Sequence, residues 1–444
     1  MRAASFPIVS IVLFSLSIGD TAFAQRLQQR EKEFLSTKPL IGDPLPDVTI
    51  YDIDGQPFPL SGLRGHYTVL TFGCLTCPPS IWNIAGLEAV HKDYAAKGVR
   101  FFFVFKALAH PELAGNYIQP FTQEERLMQA RRAVHQFGTH IPWIVDAMDN
   151  RCMHAMGGRP NSQFLISPEG VIVRKRAWSQ PDAVRKDLEE LVGPVDHVTS
   201  DADMRLTLHL PERAPAARNV TPTVDRSGML PIVIHPENSP QPFYAKLRAE
   251  ADEQLLRTGR GKLYLGFHPD PLHNVHWNNL TEPLRFQIAV DETVQLDRKS
   301  CSADKVEAAS DCDPREFVLS VNAWPEDKSL RLTVNYAACV GETTCHTVSQ
   351  AYTIERRRDQ DGGGARGTRA GFWDHDEFSQ RMLAGDRDGD GKLSLSETVG
   401  LARPHFRRLD TNGDGRLDGD ELKTLTEWLN HYHQPAPGVV AEQP

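Results

Sequence analysis

The stretch Thr68-Val69-Leu70-Thr71-Phe72-Gly73-Cys74-Leu75-Thr76-Cys77-Pro78-Pro79-Ser80 decides the reading of the N-terminal half. An apolar, β-branched run ends in glycine, two cysteines follow, and two prolines open a predicted helix. A strand that delivers a cysteine to a helix N-terminus favours the thiolate, because the positive end of the helix stabilises the anion. If Cys74 were the N-cap, Pro78 would fall at the fourth helical position and remove a helix hydrogen bond. With Cys77 as N-cap, Pro78 takes the first helical position, where no N–H is needed. Cys77 is therefore read as the nucleophile, with an acidic thiol. Cys74, at the strand end, is read as the thiol that resolves an oxidised Cys77, and Ser80 stands where a Cys-Pro-Pro-Cys site would carry its second cysteine.

Outward from this stretch, strand and helix signals alternate over 42–193. Strands are predicted at 66–72, 99–105, 143–146, 163–167 and 171–176, and helices at 80–97, 122–137 and 181–191. Such alternation argues an α/β layer fold. A linker follows over 194–223, rich in Pro, Ala and Arg from Pro211 onward. Over 224–357 the pattern changes to short strands, at 284–290, 316–322, 330–337 and 348–354, and predicts an antiparallel β-sandwich. A second linker at 358–371 holds Gly362-Gly363-Gly364. The part from 372 to 432 is helical and acidic, and 433–444 reads as a disordered tail.

The chain of 444 residues has room for several domains, each with its own core. A net charge of -9 gives no electrostatic case for nucleic acid. Arg2, the apolar run Ile8 to Ile18 and Ala22-Phe23-Ala24 before Gln25 read as a secretory signal peptide over 1–24. No later segment has the apolar length of a transmembrane helix. The mature protein is thus expected to be periplasmic or secreted, where disulfides persist. Cys301–Cys312 and Cys339–Cys345 are the expected bridges, each spanning a short loop, and Cys152 is left as a buried or mixed-disulfide thiol.

Two segments match the twelve-residue EF-hand loop. In the first, Asp386, Asp388 and Asp390 offer oxygens, Gly391 permits the bend, Lys392 ligates through its carbonyl and Glu397 through both carboxylate oxygens. Asp410, Asn412, Asp414, Gly415, Arg416 and Glu421 repeat the pattern. Ca2+ is the implied cofactor. Pro404 in the short connector argues against a large opening motion. The cluster His273, His276 and Trp277 shares its spacing with no carboxylate or cysteine, and is not read as a metal site.

Residues 42–193 resemble the iodothyronine deiodinases and their bacterial relatives. The resemblance rests on Phe72-Gly73, Thr76-Cys77-Pro78-Pro79, His110 in Ala109-His110-Pro111, Glu124-Glu125-Arg126 and Met148-Asp149-Asn150. It implies a thioredoxin fold, with Cys77 at the selenocysteine position of vertebrate members. It also implies His110 as an acid/base or thiolate-stabilising group, and Pro160 as the cis-proline beside the active thiol. Ala107 and Leu108 replace the family's acidic residues, Pro120 replaces a second histidine, and Leu75 replaces an extra cysteine. These losses remove proton donors for iodine removal and favour thiol redox work on another substrate. More weakly, Asn335-Tyr336-Ala337-Ala338-Cys339 with Cys345 resembles a cysteine hairpin in the periplasmic domain of transmembrane thiol–disulfide reductases, which would make that pair an electron relay instead of a structural bridge.

The sequence therefore predicts an exported, calcium-binding thiol oxidoreductase. Its expected partners are a thiol or disulfide redox protein or a small-molecule substrate. The competing reading is a calcium-dependent adhesion or scaffold protein whose thioredoxin-like domain is idle.

Overall fold

A computed structural model describes residues 29–109, 111, 117–206, 221, 224–226, 228–341, 344–361, 379, 382–383, 385–398 and 402–430. The expected signal peptide and tail lie outside them. No helix among the described residues is long and apolar enough to cross a membrane.

The first domain is built on seven strands: β1 (Thr49–Asp52), β2 (Pro57–Pro59), β3 (Thr68–Gly73), β4 (Arg100–Phe105), β5 (Trp143–Val145), β6 (Gln163–Ile166) and β7 (Ile172–Arg176). Their order in the sheet is β2-β1-β5-β4-β3-β6-β7. Strands β3, β4 and β5 run parallel, and β6 and β7 extend the sheet antiparallel. All six residues of β3 are buried. A central strand covered on both faces reads as a near-continuous apolar run. Val69 enters the core on one face with Phe101 and Leu87, while Leu70 and Phe72 enter the core on the other with Val104 and Phe164.

The helices are α1 (Pro78–Trp82), α2 (Ile84–Ala95), α3 (Gln123–Phe137), α4 (Arg151–Ala155) and α5 (Pro181–Val192). The single helix expected over 80–97 is divided at Asn83, whose buried side chain donates to Ser179 O at 3.0 Å. Helix α3 starts where expected because Thr122 caps it, accepting from Glu125 N at 3.2 Å, while Glu125 accepts from Phe121 N. The stretch 194–206, expected as linker, instead lies on this domain. Thr199 binds Asp93 and Leu206 joins the core.

The second domain holds eleven strands: β8 (Leu230–Pro236), β9 (Ala245–Ala251), β10 (Gly261–Pro269), β11 (Val275–Asn278), β12 (Arg285–Ala289), β13 (Gln295–Leu296), β14 (Ser300–Ser302), β15 (Ser310–Asp311), β16 (Arg315–Ala323), β17 (Ser329–Val340) and β18 (Thr344–Arg358). All pair antiparallel. Strand β8 belongs to both leaves, its first residues pairing with β9 and its later ones with β18. Leu247 and Leu263 of one leaf share a core with Leu332, Val334 and Tyr352 of the other. The expected sandwich is present, with β17 and β18 longer than predicted because they form one continuous hairpin ladder.

In the C-terminal region β19 (Leu393–Ser394) pairs with β20 (Arg416–Leu417), tying the two twelve-residue loops together. Helices α7 (Phe406–Leu409) and α8 (Gly419–Asn430) flank the second loop, α6 (Glu253–Thr258) being the short helix of the sandwich.

Neither outer domain stands apart from the first. Trp82, the last residue of α1, is buried in the C-terminal core with Leu393, Phe406, Leu409, Leu417 and Leu422. Phe121, just ahead of α3, packs on Phe243 and Tyr352 of the sandwich.

Candidate active site and metal loops

The turn after β3 carries both cysteines into the interior. Cys74 is fully buried and Cys77 is 2% exposed. The Cys77 carbonyl accepts from Ser80 N at 3.0 Å and Ile81 N at 3.2 Å, as an N-cap carbonyl does, and Pro78 is the first residue of α1. The helix register is the one argued from proline chemistry.

The electrostatics differ from the expectation of an acidic Cys77. Burial, with the charge of Cys74 added, pushes the Cys77 thiol up to about 11, against the opposing pull of Lys106 and Ser80. Desolvation disfavours the thiolate, and α1 is too short to offset it. Around Cys74 three polar groups converge. Ala109 N lies 3.4 Å from its sulfur, the Thr76 hydroxyl 3.5 Å and Lys106 Nζ 3.9 Å. Lys106, at the end of β4, was not singled out in the sequence. Its position directly after five apolar residues of β4 was the available signal.

On the other side, Asn161 Nδ2 donates to Phe72 O at 2.9 Å and to Ser80 Oγ at 3.0 Å. Gly73 allows this approach, since a Cβ there would sit 3.2 Å from Ser80 Oγ. The cis-proline expected at Pro160 is not present. The cis bond among the described residues is Lys38–Pro39, and the residue tied to Ser80 is Asn161. His110 lies outside the described residues.

The two motifs Glu124-Glu125-Arg126 and Met148-Asp149-Asn150 meet in space. Arg126, 2% exposed, donates to Asn150 Oδ1 at 2.9 Å and to Ala147 O, and burial lowers its pKa to about 10. Burial likewise raises the Cys152 thiol well above its usual value, which makes it an inert core sulfur.

Cys339 and Cys345 face each other across the β17–β18 ladder and form a disulfide. The expected Cys301–Cys312 bridge is absent, and both thiols are free. Cys301 lies on β14 beside β12, whereas Cys312 follows β15 beside β11. Strands β11 and β12 meet β17 at different places along its length, which separates the two sulfurs.

Contrary to the expectation from its spacing, His273 has carboxylate neighbours: Asp270, three residues before it, and Glu125 from the first domain. Ligand atoms of Glu125, Asp270 and His273 lie within 4.8 Å of one another. Lys246 Nζ, fully buried, already bridges Glu125 at 2.8 Å and Asp270 at 2.6 Å. Burial acts to raise Glu125, but His273, Lys246 and the Phe121 N–H outweigh it and hold the carboxyl at about 2. The cluster is an ionic lock between the first domain and the sandwich. His276 stands apart, opposite Cys339 on β17.

The C-terminal loops fit a hard dication. Carboxylate oxygens of Asp386, Asp388 and Asp390 converge within 4.8 Å. Gly391 and Gly415 have φ of +82° and +76°, the bend that only glycine takes readily. Asp410 Oδ2 accepts from Gly415 N, whereas its buried Oδ1 has no hydrogen-bond partner, as an oxygen facing a cation would. Lys392 Nζ reaches Asp414 at 2.5 Å and Arg416 contacts Asp390, so each loop's seventh residue answers the other loop's carboxylates.

With this geometry in place, comparison with known proteins gives the class. Residues 41–175 match the AhpC/TSA family and form a thioredoxin-like domain, and residues 405–426 match the EF hand. The chain is similar to thiol-disulfide oxidoreductase ResA from Halalkalibacterium halodurans, 23% identical over 195 residues, covering 44% of this chain and 94% of that protein. ResA from Bacillus thuringiensis is 22% identical over 171 residues, covering 38% and 85%. Among solved structures, a putative thiol:disulfide interchange protein DsbE from Chlorobium tepidum is 17% identical, covers 34% of this chain and 96% of its own, and has a TM-score of 0.28. The N-terminal domain is thus a distant relative of thiol-disulfide oxidoreductases.

Proposed function

We propose that this protein is an exported, calcium-binding thiol oxidoreductase in which Cys77 and Cys74 exchange electrons with a disulfide substrate. The observation that carries the reading is the pairing of Cys77 at the N-cap of α1 with a Cys74 sulfur met by the Ala109 N–H, the Lys106 ammonium and the Thr76 hydroxyl. Cys77 loses its proton to water as it attacks one sulfur of the substrate disulfide. The substrate S–S bond breaks, a Cys77–substrate mixed disulfide forms, and the first substrate thiolate leaves. Cys74 then attacks the Cys77 sulfur, the mixed bond breaks, and the second substrate thiolate leaves with the electron pair. Two electrons have passed to the substrate, and an external dithiol partner regenerates the pair.

The acidic loops complete the reading. Asp386, Asp388, Asp390, the Lys392 carbonyl and Glu397 would hold one calcium ion. Asp410, Asn412, Asp414, the Arg416 carbonyl and Glu421 would hold another. Bound calcium supplies folding free energy to this module. The signal-peptide pattern expected over 1–24 and the Cys339–Cys345 bridge support a periplasmic or secreted site of action.

The Arg126–Asn150 bond between two deiodinase motifs keeps reductive deiodination as the second reading. An activity panel on the mature protein, with disulfide, peroxide and iodinated phenol substrates and Cys77→Ser as control, separates these. Disulfide turnover that disappears in Cys77→Ser supports the proposal. Turnover of iodinated phenol alone supports the second reading, and a chain idle on all three would be the scaffold.

A further inference from the structure

Three lysines are buried in the described residues of the first domain and sandwich, and their partners differ. Lys246 is held by two carboxylates, Glu125 and Asp270. Lys175 donates to the carbonyls of Phe34, Thr37 and Pro39, at 2.7, 2.6 and 3.1 Å. Lys106, 1% exposed, donates to a single carbonyl, Ala107 O at 2.6 Å, and otherwise faces Cys74 Sγ at 3.9 Å. Among the described residues no carboxylate pairs with it. A buried ammonium without a counter-charge is costly. The group best placed to supply that charge is the sulfur, which also receives the Ala109 N–H and the Thr76 hydroxyl.

We propose that Lys106 is the counter-ion of a Cys74 thiolate, so that the reduced pair carries its negative charge on Cys74 while Cys77 stays protonated until it attacks. This deepens the proposed exchange reaction and rests on it for its role in turnover. Lys106 is a positioning residue acting through Cys74. In the resolving step the Cys74 thiolate attacks Cys77 without first losing a proton. The Cys74–Cys77 bond forms, the Cys77–substrate bond breaks, and the electron pair departs on the substrate sulfur. Once the pair is oxidised, Lys106 faces a neutral disulfide and has lost its partner, which makes the disulfide easier to reduce.

The test uses the full chain and reads the thiol directly. In a Cys77→Ser background, the rate of Cys74 alkylation by iodoacetamide is followed from pH 5 to pH 10, with Lys106 and with Lys106→Met. Lys106→Met should slow alkylation at pH 7 about tenfold, and the two curves should converge at high pH. In the chain with both cysteines, Lys106→Met should shift the dithiol–disulfide equilibrium about tenfold towards the disulfide, about 30 mV more negative. Superimposable pH profiles and an unchanged equilibrium would overturn the proposal. If Lys106→Met does not fold, thiolate absorbance at 240 nm decides between the cysteines. The first thiolate to appear on raising pH should vanish in Cys74→Ser and persist in Cys77→Ser, and the opposite assignment refutes the pairing. Alkylation reports on Cys74 whether or not a disulfide is turned over. A shifted profile in a chain inactive on disulfides would therefore sink the reductase reading alone.

Discussion

The indole of Trp82 meets the imidazole of His405 edge-on, with ring centroids 5.2 Å apart and planes at 77°. Trp82 closes the helix that begins after Cys77, and His405 lies directly before the helix leading into the second acidic loop. Arg408 reinforces the contact, donating to Trp82 O at 2.9 Å. The C-terminal module is therefore seated on the same five-residue helix that shapes the cysteine site.

Trp82→Ala should release this seat. Truncating a buried aromatic costs about 3–5 kcal/mol when the cavity cannot collapse. A scanning calorimetry trace of the variant should show the C-terminal module melting as a separate, earlier transition. A single transition at the parent temperature would mean the contact contributes little.

His405 makes the seat sensitive to acid. Burial, aided by the charge of Arg408, lowers its pKa to about 3, so it is neutral in the folded chain. The unfolded chain takes up this proton below about 6.5, so the stabilisation is complete above that pH. It is lost as pH falls from about 6.5 towards 3, at up to about 1.4 kcal/mol per pH unit. Melting temperatures should fall across pH 6.5 to 4.5, and His405→Gln should flatten that slope. Equal slopes in both chains would contradict the assignment.

Calcium should bind at both acidic loops. Isothermal titration of the full chain is expected to give two ions, and Glu421→Gln should remove one site by taking a charged bidentate ligand from the second loop. Because Trp82 lies in the same core as Leu393 and Leu417, its fluorescence should respond to the titration. No heat of binding in the parent chain would sink the metal assignment.

Non-reducing peptide mapping should recover Cys339–Cys345 as the bridge and Cys301 and Cys312 as free thiols. A Cys301–Cys312 peptide would contradict the separation of β14 from β15 on the sheet. Rapid reduction of Cys339–Cys345 by the chain's own thioredoxin-like domain would favour an electron relay over a structural bridge.

Much of this architecture was legible because local rules and tertiary structure agree. The buried run of β3, the helix over 122–137 and the two loops at Asp386 and Asp410 each follow from spacing and residue type alone. The proline argument gave the register of Cys77 for the same reason. Its acidity was not legible, because burial is set by residues far along the chain and outweighs the end of a short helix. Lys106 and Asn161 flank the site from other strands and loops, so no local pattern announces them. The Cys301–Cys312 bridge failed likewise: a short loop in sequence does not bring together strands that meet β17 at different points. Of the carboxylates beside His273, Glu125 comes from another domain and only the folded chain brings it in, whereas Asp270 stands three residues earlier in the local sequence.

In the proposed exchange Cys77 makes the first attack and Cys74 resolves it. Intact mass spectrometry of the Cys74→Ser chain after reaction with a small disulfide tests this most directly. The expected result is a mixed disulfide that accumulates on Cys77 in Cys74→Ser, faster than any adduct forms on Cys74 in Cys77→Ser. Trapping on Cys74 in the Cys77→Ser chain, with Cys77 left unmodified in Cys74→Ser, would make Cys74 the attacking thiol and overturn this order.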